Sequence, residues 1–133
     1  MGMEIANFRP VNTFINPVEI EGNETIRVTK NPKITEFDEA TFAKLIDSEF
    51  KNGIIEVNVL SKLLEDAPDF ARGFIGIAFR IGESNAKFEC IYIRPTNGRA
   101  EEQLRRNRST QYFSYPDFKF DRLRNESPGI YES

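Results

Sequence analysis

The side chains best suited to chemistry cluster in one run, YIRPTNGRAEEQLRRNRSTQYFSYPDF, from Tyr92 to Phe118. Five arginines sit there among asparagines, glutamines and aromatic rings, with two prolines and one glycine as breakers. Between Arg94 and Arg124, eight basic residues face four acidic ones, a local +4 in a chain whose net charge is −3. Seven of those eight are arginine, whereas elsewhere lysine outnumbers arginine six to four. Arginine differs from lysine in its planar fork of donors, which pairs bidentately and stacks on rings. The bias therefore points to a geometry-demanding role. A basic tail, a nucleic-acid grip and the floor of a binding site all share this composition. An alternative use of the arginines is to pair with Glu101, Glu102, Asp117 and Asp121 and so brace a long loop.

Absences narrow the chemistry. The chain has no histidine, which removes Ser-His-Asp and Cys-His triads and the usual catalytic zinc sites. A single cysteine, Cys90, permits no intrachain disulfide and no cysteine-based metal cluster. It lies in the alternating stretch KFECIYI, where a buried, inert thiol is expected. No metal site and no cofactor are expected. Any catalysis would fall to carboxylates, lysine, tyrosine or arginine. The N-terminal MGMEIANFRPVNTF lacks a basic region followed by an apolar run, and no apolar stretch is long enough to span a bilayer. No signal peptide, transmembrane helix or membrane partner is expected; the default location is cytoplasmic, or secreted if a signal has been removed.

The elements that must position the arginine-rich run read mostly as strands. At 133 residues and 39% hydrophobic content, one domain over 1–133 is expected. VEIEG and ETIRVTK around Gly22-Asn23 form a hairpin. ATFAKLIDSEF alternates at Phe42, Lys44 and Ile46 and is read as a strand. GIIEVNVLS places Ile55, Val57 and Val59 on one face and Ile54, Glu56 and Asn58 on the other, again a strand. LLEDAPDFARG is read as a loop. GFIGIAFRIG and KFECIYIRP form the strongest pair, joined by GESNA. Gly76 and Ala78 on one face suggest close approach by another sheet or a ligand. Beyond Pro95, TNG is a turn, and RAEEQLRRNR makes about two helical turns supported by Glu101–Arg105 and Glu102–Arg106. STQYFSYPDF then returns to strand until Pro116. Short strands separated by turns predict an all-β fold, an antiparallel β-sandwich. The run from Arg94 to Gln111 is thus an ordered excursion from a strand edge.

GFIGIAFRIG, FECIYIRPTNGRAEEQLRRNRSTQYFSYPDFKFDRLR and SPGIYES together resemble a bacterial family of unassigned activity. It is related to concanavalin A-like lectins and glucanases and to laminin-G-like and 3-keto-disaccharide hydrolase domains. The resemblance covers Gly73 to Ser133 closely and the N-terminal half loosely. It implies a jelly-roll sandwich whose concave face holds a carbohydrate or polyol. On that basis Arg94, Asn97, Arg99, Gln103, Arg105, Arg106, Asn107, Gln111 and Asp117 are the expected hydrogen-bonding groups. Tyr92 and Tyr112, with Tyr115, are candidates to stack on a pyranose face. Arg108 stands where the family commonly has a histidine. Relatives of this kind also continue past the final GxYES, so the chain is expected to be an incomplete sandwich that pairs as a homo-oligomer.

Two other functions fit the sequence less well. Glycoside hydrolysis needs two suitably spaced carboxylates. Laminarinase-type relatives supply them on an E-x-D-x-x-E strand; EFDEAT at Glu36 comes nearest and lacks the final glutamate. No catalytic residue is assigned, and a carbohydrate-binding or accessory module is the expected function. Nucleic-acid binding is disfavoured by the acidic total and the carboxylates among the arginines.

Overall fold

The computed structural model describes residues 4–36, 38–67 and 73–133. It is mostly β, with 35% strand and 11% helix, and its strands pair antiparallel. Two compact units divide the chain, Met1–Phe50 and Lys51–Ser133.

The first unit holds two small sheets. Strand β1 (Phe8–Val11) pairs with β4 (Phe42–Leu45), and β2 (Thr13–Ile20) pairs with β3 (Asn23–Lys30). The β2–β3 turn is Glu21-Gly22, with φ of 50° and 80°. Positive φ at both central residues is the twist a two-residue hairpin requires, and glycine meets it without steric cost. The predicted hairpin is therefore present, with its turn one residue earlier and its first strand beginning five residues earlier. Pro10 and Pro17 lie within β1 and β2, which belong to two-stranded sheets and so have an open edge where a missing N–H is tolerated. Asn12 donates from its side chain to the Ala40 carbonyl (2.8 Å), and Thr13 Oγ1 to that of Phe42 (3.1 Å).

The second unit is built on one sheet, β5 (Ile75–Phe79), β6 (Phe88–Ile93) and β7 (Thr110–Tyr115), in that order. Register places Gly76 opposite Tyr92 and Ala78 opposite Cys90. On the other side, Phe88 opposes Tyr115, Cys90 opposes Phe113 and Tyr92 opposes Gln111. These residues share the inner face. Phe88, Tyr92 and Phe113 are buried there, with Phe88–Phe113 and Tyr92–Phe113 edge-on at 5.8 Å and Phe88–Tyr115 stacked at 4.9 Å. Such ring geometry adds to plain apolar burial. Helix α2 (Phe120–Glu126) packs against β7 and buries Leu123. Residues 131–133 extend the sheet: Tyr112 N–H donates to the Tyr131 carbonyl (2.9 Å), and Thr110 and Ser133 exchange bonds of 2.7 and 3.0 Å.

Several expectations need correction. Residues 54–60 form no strand and make no backbone hydrogen bond among the described residues, because alternation selects faces but does not supply a partner. The close approach at Gly76 is made by the neighbouring strand, since a Cβ there would collide with the Ile91 carbonyl oxygen and with Cα and Cβ of Tyr92. The two-turn helix reduces to one turn, α1 (Gln103–Arg106). Helix α2 was not foreseen, although Phe120 and Leu123 are three apart and Arg122 reaches Glu126 at 3.1 Å across one turn. Cys90 is half-buried rather than buried. Much of the loop read at LLEDAPDFARG lies outside the described residues. Among those described, no helix is long and apolar enough to cross a membrane.

Candidate functional site

The excursion between β6 and β7 starts at Arg94, whose N–H continues the ladder by donating to the Ser109 carbonyl (2.6 Å). Two turns follow, closed by Asn97 N–H to the Arg94 carbonyl (2.9 Å) and Ala100 N–H to that of Asn97 (3.1 Å). The chain then passes through α1 and rejoins β7.

Three polar side chains at the base are buried: Arg94 at 6% exposure, Asn97 at 4% and Gln111 at 1%. Arg94 lies on the inner face beyond Tyr92. Its guanidinium donates to the Arg108 carbonyl (2.9 Å), the Tyr92 hydroxyl (2.9 Å) and Gln111 Oε1 (3.4 Å). Its Cζ also stands 5.0 to 5.9 Å from the rings of Tyr92, Phe74 and Phe120. Asn97 Nδ2 donates to the same Arg108 carbonyl (2.9 Å), and its Oδ1 accepts from Arg105 Nε (2.8 Å). Arg105 further reaches Thr96 Oγ1 (3.1 Å). Gln111 Nε2 donates to the carbonyls of Tyr112 (2.7 Å) and Tyr131 (3.3 Å). One network therefore ties Arg105, Asn97, Arg108, Arg94 and Gln111 to the sheet, and buried polar groups of this kind fix a conformation when every member is satisfied.

Bracing is thus real, but its partners differ from those expected. Arg105 and Arg106 do not turn to Glu101 and Glu102: Arg106 Nη1 donates to the Ala100 and Glu101 carbonyls, each at 2.6 Å. The carboxylate that matters is Glu132, paired bidentately with Arg124 (2.7 and 3.0 Å) and near Arg108 (3.6 Å). Sequence reasoning missed Glu132, Arg124 and Thr96. Glu132 is placed by its antiparallel bridge to Gln111, which the sequence gives no way to see.

The other predicted residues divide by exposure. Arg99, Gln103 and Asn107 are exposed, and no partner of their side-chain donors is found among the described residues. Asp117 is exposed too; it lines an open depression of about 250 Å³ with Arg80, Lys87, Glu89 and Tyr115. Tyr92 is part of the core. Tyr112 is half-buried on the outer face of the sheet, its ring 5.8 Å from that of Tyr131.

Tyr112 belongs to a second cluster. Its hydroxyl donates to Glu89 Oε1 (2.6 Å), while Arg80 Nη1 meets Glu89 Oε2 (2.8 Å). Burial, and then the bond to Glu89, push the Tyr112 phenol up to about 12. The Tyr112 hydrogen bond and then Arg80 hold the Glu89 carboxyl below its ordinary range. A carboxylate so held is an acceptor rather than a proton donor. No group of three or more His, Cys, Asp or Glu side chains that could hold a metal occurs among the described residues. No protein-family profile, curated protein or solved structure matches the chain.

Proposed function

We propose that the chain is a carbohydrate-binding or accessory module of lectin/glucanase-like sandwich architecture, with the ligand held by the exposed limb of the loop between β6 and β7. One observation carries this reading: a loop whose base is locked by Arg94, Asn97 and Gln111 presents three unspent amide and guanidinium groups, on Arg99, Gln103 and Asn107. Donors on a rigid support lose little freedom on binding, which is what recognition of a polyhydroxylated ligand by hydrogen bonds demands. The ligand class follows from donor type: neutral amides suit hydroxyls, and the single free guanidinium suits an acidic or vicinal-diol sugar. The resemblance of Gly73–Ser133 to lectin- and glucanase-related domains supports the same class. Glu89 and Glu132 are both committed to arginines, which leaves them poorly suited to a glycosidase acid role.

Saturation-transfer NMR against mono- and disaccharides, acidic sugars and β-glucans tests the proposal. Arg99→Ala and Asn107→Ala should each weaken binding about tenfold, the equivalent of one hydrogen bond to a charged or well-placed donor. Absence of binding by the parent protein to every saccharide at millimolar concentration overturns the proposal. Release of reducing ends from the same sugars would replace it with the hydrolase reading.

A further inference from the structure

The segment Ile54–Leu60, IIEVNVL, is the most apolar stretch left open. Ile54 is 89% exposed and Leu60 67%, and Ile55, Val57 and Val59 are each close to half exposed. Leu63 and Leu64 continue the patch. It lies in no helix or strand, and between Gly53 and Ser61 no N–H or carbonyl joins a backbone hydrogen bond among the described residues, so its backbone groups are open to pairing. An open strand edge carrying apolar side chains is a template for another strand, and exposed apolar patches of a few hundred Å² mark association surfaces.

We propose that this run is a dimerisation strand, pairing antiparallel with the same run of a second copy about a two-fold axis through Val57. The sequence itself selects that occupant. Around Val57 the pattern is a palindrome: apolar, apolar, polar, apolar, polar, apolar, apolar. In the register centred there, Ile54 faces the second copy's Leu60, Ile55 its Val59, and Val57 its Val57. Glu56 faces Asn58, so no like charges meet. A shift of one residue sets apolar side chains against polar ones. A shift of two either sets Ile54 against Lys62 and Ile55 against Ser61, or brings Glu56 against its own copy. Self-pairing of this kind is isologous, which a closed dimer requires. The inference is independent of ligand binding by the loop.

The test uses the full chain. Light scattering and sedimentation across micromolar to millimolar concentrations should show a species of twice the 15.3 kDa chain mass, dissociating on dilution. Val57→Lys places two ammonium groups in register and should return the protein to monomer while leaving its circular dichroism spectrum intact, since the side chain is half exposed in the single chain. Val57→Cys should crosslink to its own copy under mild oxidation, because directly paired Cα atoms lie roughly 4.5–5.5 Å apart, inside the disulfide window. Ile54→Cys should not, being about 20 Å from its copy across six residues of strand. Mapping by mass spectrometry separates these crosslinks from any involving Cys90. A monomer at every concentration overturns the proposal. So does a dimer that survives Val57→Lys, which would place the contact on another face. Crosslinking at 54 but not at 57 also overturns it, whatever occupant that indicates.

Discussion

Replacing Arg94 tests whether the loop is held from its base. Arg94→Ala deletes two hydrogen bonds of 2.9 Å, a weaker one at 3.4 Å, and contacts with three rings. Each good bond from a charged donor contributes about 1.5–3 kcal/mol, and the ring contacts about 1 kcal/mol together. Opposing this, the variant no longer buries a cation whose partners are a carbonyl, a phenol and an amide, a desolvation cost of several kcal/mol. The Arg108 carbonyl keeps its bond from Asn97, so only the Tyr92 hydroxyl and Gln111 Oε1 lose a donor. The net expectation is a loss of about 2–4 kcal/mol, a large share of the stability of a domain this size. Arg94→Lys keeps the charge but cannot span three acceptors, and should lose about half as much. Urea denaturation followed by tyrosine fluorescence gives both values, with Arg99→Ala as the control expected within about 0.5 kcal/mol of the parent. A change below about 0.5 kcal/mol for Arg94→Ala would mean that the buried network does not hold the loop.

Three further outcomes are expected. The Tyr112 phenol, raised to about 12, adds stability that is complete below its unfolded value near 10 and is lost as pH rises toward 12. Glu89, whose value is lowered, adds stability present above its unfolded value and lost as pH falls through the folded one. Ring-carbon NMR titration should show Tyr112 deprotonating near 12, and Glu89→Gln should lower its value only in part, because burial is the larger cause; an unchanged titration in that variant would remove the hydrogen bond from the account. Gly76→Ala forces β5 away from β6, since the new Cβ meets backbone rather than a movable side chain; a loss of about 2 kcal/mol or more is expected on denaturation, and a neutral effect would contradict the register. Glu132→Gln should cost about 1–2 kcal/mol by leaving Arg124 without its bidentate partner, measured the same way at low and high salt, with no loss at either refuting the brace.

How much of this was legible depended on what each signal encodes. Alternation located β4, β5 and β6, and strand-like composition located β7; in β6 and β7 the pattern records a face that buries Phe88, Tyr92 and Phe113. The hairpin was legible from Gly22, but its first strand starts at Thr13 rather than Val18 and runs through Pro17, which the open edge of a two-stranded sheet tolerates. Ile54–Leu60 had the same alternation as a true strand and formed none. Pairing partners are a property of the chain's other segments, and periodicity carries no information about them. Helix α2 was hidden by the aromatic residues Phe118 and Phe120, which favour a strand reading. In the site, the buried status of Gln111 and Asn97 could not be read, since polar residues are rarely placed so deep.

The preference for arginine over lysine now has a physical account that does not depend on a ligand. Arg94, Arg105 and Arg106 each donate to two or more oxygens at distinct angles, and most of those oxygens are backbone carbonyls or neutral side chains rather than carboxylates. A lysine ammonium is a point donor that could reach one such oxygen but not hold two turns of chain in fixed relation. Glu101 and Glu102 stay exposed, and with their charges included the segment from Arg94 to Arg124 still carries a net +4. The loop therefore presents Arg99 on a segment of net positive charge with a braced base. That combination favours an acidic sugar over a neutral one among the proposed ligands, and uronic acids should outcompete their neutral parents in a way that salt weakens.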